Sequence, residues 1–173
     1  MIVLGIDPGS RQAGYALIEA QGRKMKYLFS GTLRYDCDTQ FLERLGVIYQ
    51  SCNDLITQYA PDEVALESLI YVKSVSALSK LAQARGAMIA AFMKTHPGRV
   101  FEYSPNLVKV SVSGDGHAGK EAVQKSLSLM FGSISYRAHD ESDALAVAVC
   151  HALHVKSRKI YNSQKSSDKG VHL

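Results

Sequence analysis

Apolar and polar positions along the chain alternate between two rhythms, and their order outlines a fold. Ile2 to Ile6 is an unbroken apolar run halted by Asp7-Pro8-Gly9, which predicts a strand buried on both faces and ended by a turn. Gly14 to Ile18 and Lys26 to Leu33 are rich in Tyr, Leu and Ile and are interrupted by Gln21-Gly22 and Gly31. They predict two further strands in a meander. From Thr39 to Tyr59 the residues Leu42, Leu45, Ile48, Cys52, Leu55 and Tyr59 recur at steps that suit a helix, which Pro61 closes. Val64 to Leu66 is a short buried strand. A second helix is expected from about Ser74 to Lys94, with Leu78, Leu81, Ala82, Met88, Ile89 and Phe92 on one face, ending before His96-Pro97-Gly98. Val100 to Tyr103 returns as a strand. Ser113 to Gly119, with three glycines, predicts a mobile loop leading into a helix from Lys120 to Met130, and a last helix begins at Asp140 and runs through Leu153. The alternation predicts an α/β fold: a mixed sheet with crossover helices, opened by an antiparallel meander.

Composition narrows the class. The 173 residues (18.9 kDa) fit one domain, and 46% hydrophobic with 21% charged residues excludes a disordered or fibrous chain. Residues 156–173 are polar, rich in Ser and Lys and without periodicity. The expected organisation is a single domain over 1–155 followed by a basic, disordered tail. The opening apolar run has no basic lead-in and meets Asp7 at once, so no signal peptide is expected. Ala144 to Cys150 is about a third of the roughly 20 apolar residues a bilayer needs, so no membrane partner is expected either. Cys37, Cys52 and Cys150 are odd in number and far apart, which argues against disulfides and structural zinc and favours the cytoplasm. The net charge of +4 is unevenly spread: −3 over residues 1–72, +6 over 73–137, −3 over 138–155 and +4 over the tail. Carboxylates at both ends of the body and cations in its middle suit cation binding beside a face that meets a polyanion.

The acidic residues carry the candidate chemistry. Asp7 sits in a turn signature and, taken alone, reads as a turn residue. Glu67 ends the next buried strand, and ligands of open α/β sheets lie beyond the carboxyl ends of the strands. Asp140 and Asp143 lie three apart at the head of the last helix, where they would share a face, or where Asp140 as N-cap and Asp143 at N3 would merely cap it. Four carboxylates brought to one point would repel and raise their own pKa values unless a cation intervened. Oxygen ligands with no cysteine suit Mg²⁺ or Mn²⁺. The chemistry such a site performs is in-line displacement at phosphorus with two metal ions. Lys109 and Lys120 fall in the basic stretch; either one alone reads as an ordinary surface cation, and as a functional pair they would contact phosphates. Ile70-Tyr71 is an apolar pair that would either anchor its loop on the core or wedge between bases, and Lys73 is a further candidate DNA contact. His151 and His154 share a helix face but lack a third ligand nearby.

Together these strings resemble the RuvC family of bacterial crossover junction endodeoxyribonucleases, of the ribonuclease H-like superfamily. They are G-I-D-P-G-S-R at 5–11 with Gly14-Tyr15, A-L-E at 65–67, S-A-L-S-K-L-A-Q-A-R-G at 76–86, F-E-Y at 101–103 with V-K at 108–109, and D-x-x-D-A-L-A-V-A at 140–148. The resemblance implies a ribonuclease H-like fold with a central five-stranded mixed sheet, its first three strands antiparallel, flanked by helices. It implies Asp7, Glu67, Asp140 and Asp143 as a catalytic, metal-binding tetrad for two Mg²⁺ ions, with Mn²⁺ able to substitute. Lys109 and Lys120 match lysines that support catalysis and DNA contact, and either Ile70 or Tyr71 stands for the family's stacking residue. A homodimer through the helix over residues 76–93 is implied, resolving four-way junction DNA by paired nicks with RuvA and RuvB as branch-migration partners. Three alternatives have a basis in the sequence. Actin-like phosphotransferases also place D-x-G after a first strand but need two such lobes. A ribonuclease H-like enzyme acting on RNA would use the same metal chemistry, and a DNA-binding module would use the acids only as turns and caps.

Overall fold

The computed structural model describes residues 1–22, 24–35, 38–69 and 74–168, with side chains as far as 155. Its elements are β1 (Ile2–Asp7), β2 (Gln12–Gln21), β3 (Lys24–Arg34), α1 (Phe41–Tyr59), β4 (Glu63–Glu67), α2 (Val75–Thr95), β5 (Val100–Tyr103), α3 (Pro105–Ser113), α4 (Lys120–Phe131) and α5 (His139–Asp168). They form one five-stranded sheet in the order β3-β2-β1-β4-β5. β1, β2 and β3 pair antiparallel, while β4 joins β1 and β5 joins β4 in parallel. The predicted mixed sheet with an antiparallel opening is therefore the observed one. Gly31 does not interrupt β3; it pairs with Tyr15, whose hydroxyl occupies the space a Cβ there would fill.

Period-two alternation divides the core between the two faces of the sheet. Leu4, Ile6, Leu17, Val64 and Leu66 pack against α1 and α2 through Ile48, Cys52, Leu55, Met88 and Phe92. Val3, Ala16, Ile18 and Ala65 face the other way, onto α5, with α3 and α4 completing that layer through Val108, Val112, Val123 and Leu127. The fully buried stretch Ala144 to Cys150 on α5 is mostly small, so the helix lies close to the sheet. At Gly5 an added Cβ would fall 2.2 Å from the Ala144 carbonyl oxygen, a contact only glycine permits.

Three expectations are corrected. The buried face of α2 is Ala84, Arg85, Met88, Ala91 and Phe92; Ala82 is exposed and Leu78, Leu81 and Ile89 are half-buried. Met88 and Phe92 lie on the expected face and are buried; Ala84, Arg85 and Ala91, rather than Leu78, Leu81 and Ile89, complete the packed side. A helix, α3, occupies residues between β5 and the glycine-rich loop for which none was expected, started by Ser104 as N-cap and Pro105 in the first turn. Finally, α5 continues to Asp168, where an irregular tail from Lys156 was expected. The segment has no proline, and its first glycine is Gly170, so nothing in its local chemistry stops the helix earlier. Among the described residues no helix is long and apolar enough to cross a membrane.

Candidate metal and catalytic site

Asp7 and Glu67 close two adjacent parallel strands, and the pairing Ile6↔Leu66 puts them side by side at the carboxyl edge. Alternation turns Asp7, with Val3 and Gly5, toward α5, and Glu67 follows Ala65 to the same face. The first turn of α5 reaches them across Gly14 of β2, where an added Cβ would lie 1.9 Å from the Asp140 carbonyl oxygen. Asp7, Asp140 and Asp143 each bring one carboxylate oxygen within 4.8 Å of the others. Glu67 stands outside that tight trio but lines the same cavity of about 380 Å³, as do Lys109 from α3 and Lys120 from the start of α4. α5 begins at His139, so Asp140 lies inside its first turn and is not the N-cap. Ile70, Tyr71 and Lys73 lie outside the described residues.

The electrostatics follow from crowding anions at a partly dry edge. Burial first, then the charges of Glu67, Asp143 and Asp140, push the Asp7 carboxyl up to about 8, with Lys120 pulling the other way. Glu67 is also raised, by burial and by Asp143, against the opposing pull of Lys120 and Lys109. The Lys120 ammonium donates to Asp143 Oδ2 at 3.0 Å, and that bond holds its proton more tightly than usual. Crowded, partly buried carboxyls that offer only oxygen donors fit a hard divalent cation, which would offset their repulsion. The residues able to hold it are Asp7, Asp140, Asp143 and, at the rim of the trio, Glu67.

Supporting contacts were not among the predicted residues. The Gln12 side-chain amide donates to Asp140 Oδ2. Glu141, between the two aspartates, turns away from the cavity and is 3% exposed; Ser30 Oγ donates to it at 2.9 Å and Thr32 Oγ1 at 3.4 Å. Asp140 and Asp143 thus share one face while Glu141 anchors the other under β3. Arg85, buried on α2, donates from Nε to the Glu67 carbonyl oxygen at 3.1 Å and from Nη2 to Glu102. Beyond the site, His151 joins Glu63 through Nε2 (2.7 Å) and the Tyr103 hydroxyl through Nδ1 (2.9 Å). An acid two residues before Asp143 and an arginine on an apolar helix face were the available signals, but neither names its partner.

Comparison with known proteins agrees across sequence and structure. The family model for crossover junction endodeoxyribonuclease RuvC matches residues 3–151. The crossover junction endodeoxyribonuclease RuvC of Trichlorobacter lovleyi is 46% identical over 152 residues, covering 87% of this chain and 84% of that protein. The Haemophilus ducreyi protein of the same name is 39% identical over 171 residues, covering 99% and 88%. Among solved structures, T. thermophilus RuvC in complex with a Holliday junction substrate superposes with a TM-score of 0.82 at 29% identity, covering 91% of this chain and 96% of that one. The yeast mitochondrial Holliday junction resolvase Ydc2, at 16% identity and a TM-score of 0.67, shares the fold.

Proposed function

The chain belongs to the RuvC family of crossover junction endodeoxyribonucleases, and from that premise we propose how its own residues resolve a four-way junction. It is an endonuclease that cuts Holliday junctions in DNA recombination and repair. Asp7, Asp140, Asp143 and Glu67 hold divalent metal, Mg²⁺ with Mn²⁺ able to substitute, two ions to a site. The chemistry such ions would supply when bound is activation of a water and stabilisation of the leaving oxygen of the scissile phosphodiester. Lys120 orients the Asp143 carboxylate and, two-thirds exposed, keeps donors free to meet a phosphate oxygen, while Lys109 lines the same cavity. Gln12 fixes one oxygen of Asp140 so that the other can bind metal.

Two copies of such a site, related by a dyad, would nick two strands symmetrically. α2 supports pairing, because Val75 (81% exposed) and Met93 are exposed and Leu78, Leu81 and Ile89 are half-buried, an apolar stripe left open among the described residues. The partners on this reading are four-way junction DNA, a second copy of the chain, and the RuvA and RuvB branch-migration proteins, all in the cytoplasm. The observation that carries the site assignment is the meeting of Asp7, Asp140 and Asp143 oxygens beside Lys120. In Mg²⁺ the protein should cut a synthetic four-way junction in paired nicks and spare linear duplex and an RNA–DNA hybrid. Asp7→Asn should lower cleavage by about 10³-fold or more, since metal contributes several kcal/mol to this transition state, yet still retard the junction on a gel. Cleavage that survives Asp7→Asn overturns the assignment.

A further inference from the structure

We propose that Arg85 is a positioning residue for the Glu67 carboxylate, gripping the end of β4 from the opposite face of the sheet. The proposal rests on Glu67 being a metal ligand. Arg85 is 8% exposed, on the face of α2 that also buries Ala84, Met88 and Phe92. A guanidinium in that setting is costly unless its donors are used. Here Nε donates to the main-chain oxygen of Glu67 at 3.1 Å, and Nη2 bonds the carboxylate of Glu102. Glu102 pairs with Leu66 across the ladder, and Leu66 faces α1 and α2. Arg85 therefore works in that layer, while the Glu67 side chain emerges toward α5. The charges acting on the Glu67 carboxyl are those of Asp143, Lys120 and Lys109, and Arg85 is not among them.

The guanidinium thus acts on the backbone, and its effect is to fix where the carboxylate stands. Glu67 is the last residue of its strand, at the wall of a smaller cavity of about 170 Å³ that Asp7, Leu81 and Arg85 also line. One side of that strand end is tied by Ser68 N–H donating to the Tyr103 carbonyl oxygen at 2.8 Å. The fork of Arg85 supplies the second tie, joining the Glu67 carbonyl to β5 through Glu102. Only a planar fork reaches both acceptors at once; a lysine carries the charge but satisfies them less well. Displacing a metal-binding oxygen by about 1 Å is enough to cost 10²-fold in rate.

The test uses the full chain with Arg85→Gln, Arg85→Lys and Glu67→Gln, each followed by Mn²⁺ titration calorimetry of the protein alone, thermal melting, and steady-state cutting of a synthetic four-way junction. Arg85→Gln should weaken Mn²⁺ binding and lower kcat about 10- to 100-fold with KM little changed, as expected for a group that orients a ligand. Arg85→Lys should fall between that variant and the native protein in both readouts. Excess Mn²⁺ should restore part of the lost kcat. A role confined to stability would lower the melting temperature of both Arg85 variants while the folded protein bound Mn²⁺ and cut as before, and that result overturns the proposal. Should Arg85→Gln not fold, an Arg85→Lys protein indistinguishable from native in Mn²⁺ affinity and kcat overturns it equally. Glu67→Gln separates the premise: native Mn²⁺ binding and cleavage in that variant removes Glu67 from the site. Loss in Glu67→Gln with no loss in either Arg85 variant sinks only the role of Arg85.

Discussion

Asp7 concentrates the physics of this protein in one carboxyl group. Its pKa stands at about 8 in the folded chain against an ordinary 3.8, through burial and then Glu67, Asp143 and Asp140. The folded state therefore holds a proton that the unfolded state releases between about pH 4 and 8, and metal-free stability falls as pH rises across that window. Glu67, raised in the same direction, adds to the slope. In EDTA the melting temperature should decline from pH 5 to 8.5, and Asp7→Asn should flatten much of the decline and raise melting at pH 8 by about 2–6 °C, the equivalent of 1–2 kcal/mol in a chain of this length. Mg²⁺ should restore the native protein most at the alkaline end. Calorimetry across pH checks this, and a level profile without metal would contradict it. Gly14 offers a second handle. Gly14→Ala sets a methyl against the Asp140 carbonyl and must push α5 outward, which should cost about 1–3 kcal/mol and lower cleavage further than melting alone explains. Junction cutting measured well below the melting temperature distinguishes the two losses. Asp7, Glu67, Asp140 and Asp143 were legible as residues because strand ends and a three-residue helical step announce themselves. Gln12, Glu141 and Arg85 were not, because a polar side chain has no periodicity that names its partner.

Helices pack on one face and the central strands on both, and the faces differ in how openly the sequence declares them. β1 and β4 read as buried runs because both of their faces are covered, one by α1 and α2 and the other by α5. α3 carried its start signal in Ser104-Pro105, but with only Val108 and Val112 buried its period is too short to stand out. α2 declares its core only in part: Met88 and Phe92 of its apolar face are fully buried, but Ala84, Arg85 and Ala91 complete the packed side where Leu78, Leu81 and Ile89 are expected. α5 is locked to the sheet by more than small residues: His151, fully buried, bridges Glu63 of β4 and Tyr103 of β5. His151→Leu should leave a carboxylate and a phenol without this partner and destabilise by about 2–4 kcal/mol, a fall of roughly 5–12 °C in melting temperature. Glu63→Gln, which keeps an acceptor for the imidazole, should cost less. Thermal denaturation of the two variants checks the ranking.

At the scale of the whole molecule, the uneven charge along the chain becomes an arrangement in space: an acidic pocket with Lys109 and Lys120 on its walls. Junction binding in Ca²⁺ should weaken steeply with salt, and Lys109→Ala and Lys120→Ala should each reduce the slope of log affinity against log salt by about 1. Titrations at several salt concentrations decide whether either lysine meets a phosphate. The strands, most helices and the D-x-x-D step were written locally in the sequence, because hydrophobic period and turn chemistry act within a few residues of themselves. The sequence alone also placed Asp7 and Glu67 at strand ends, where a ligand could be met. It did not determine that oxygens from residues 7, 140 and 143 would close to within 4.8 Å while Glu67 stood slightly apart. That was decided by the strand order, which sets β1 beside β4, and by Gly5 and Gly14, which let α5 descend onto the sheet. Convergence over more than a hundred residues depends on how faces pack, and packing is settled only when every element is in place.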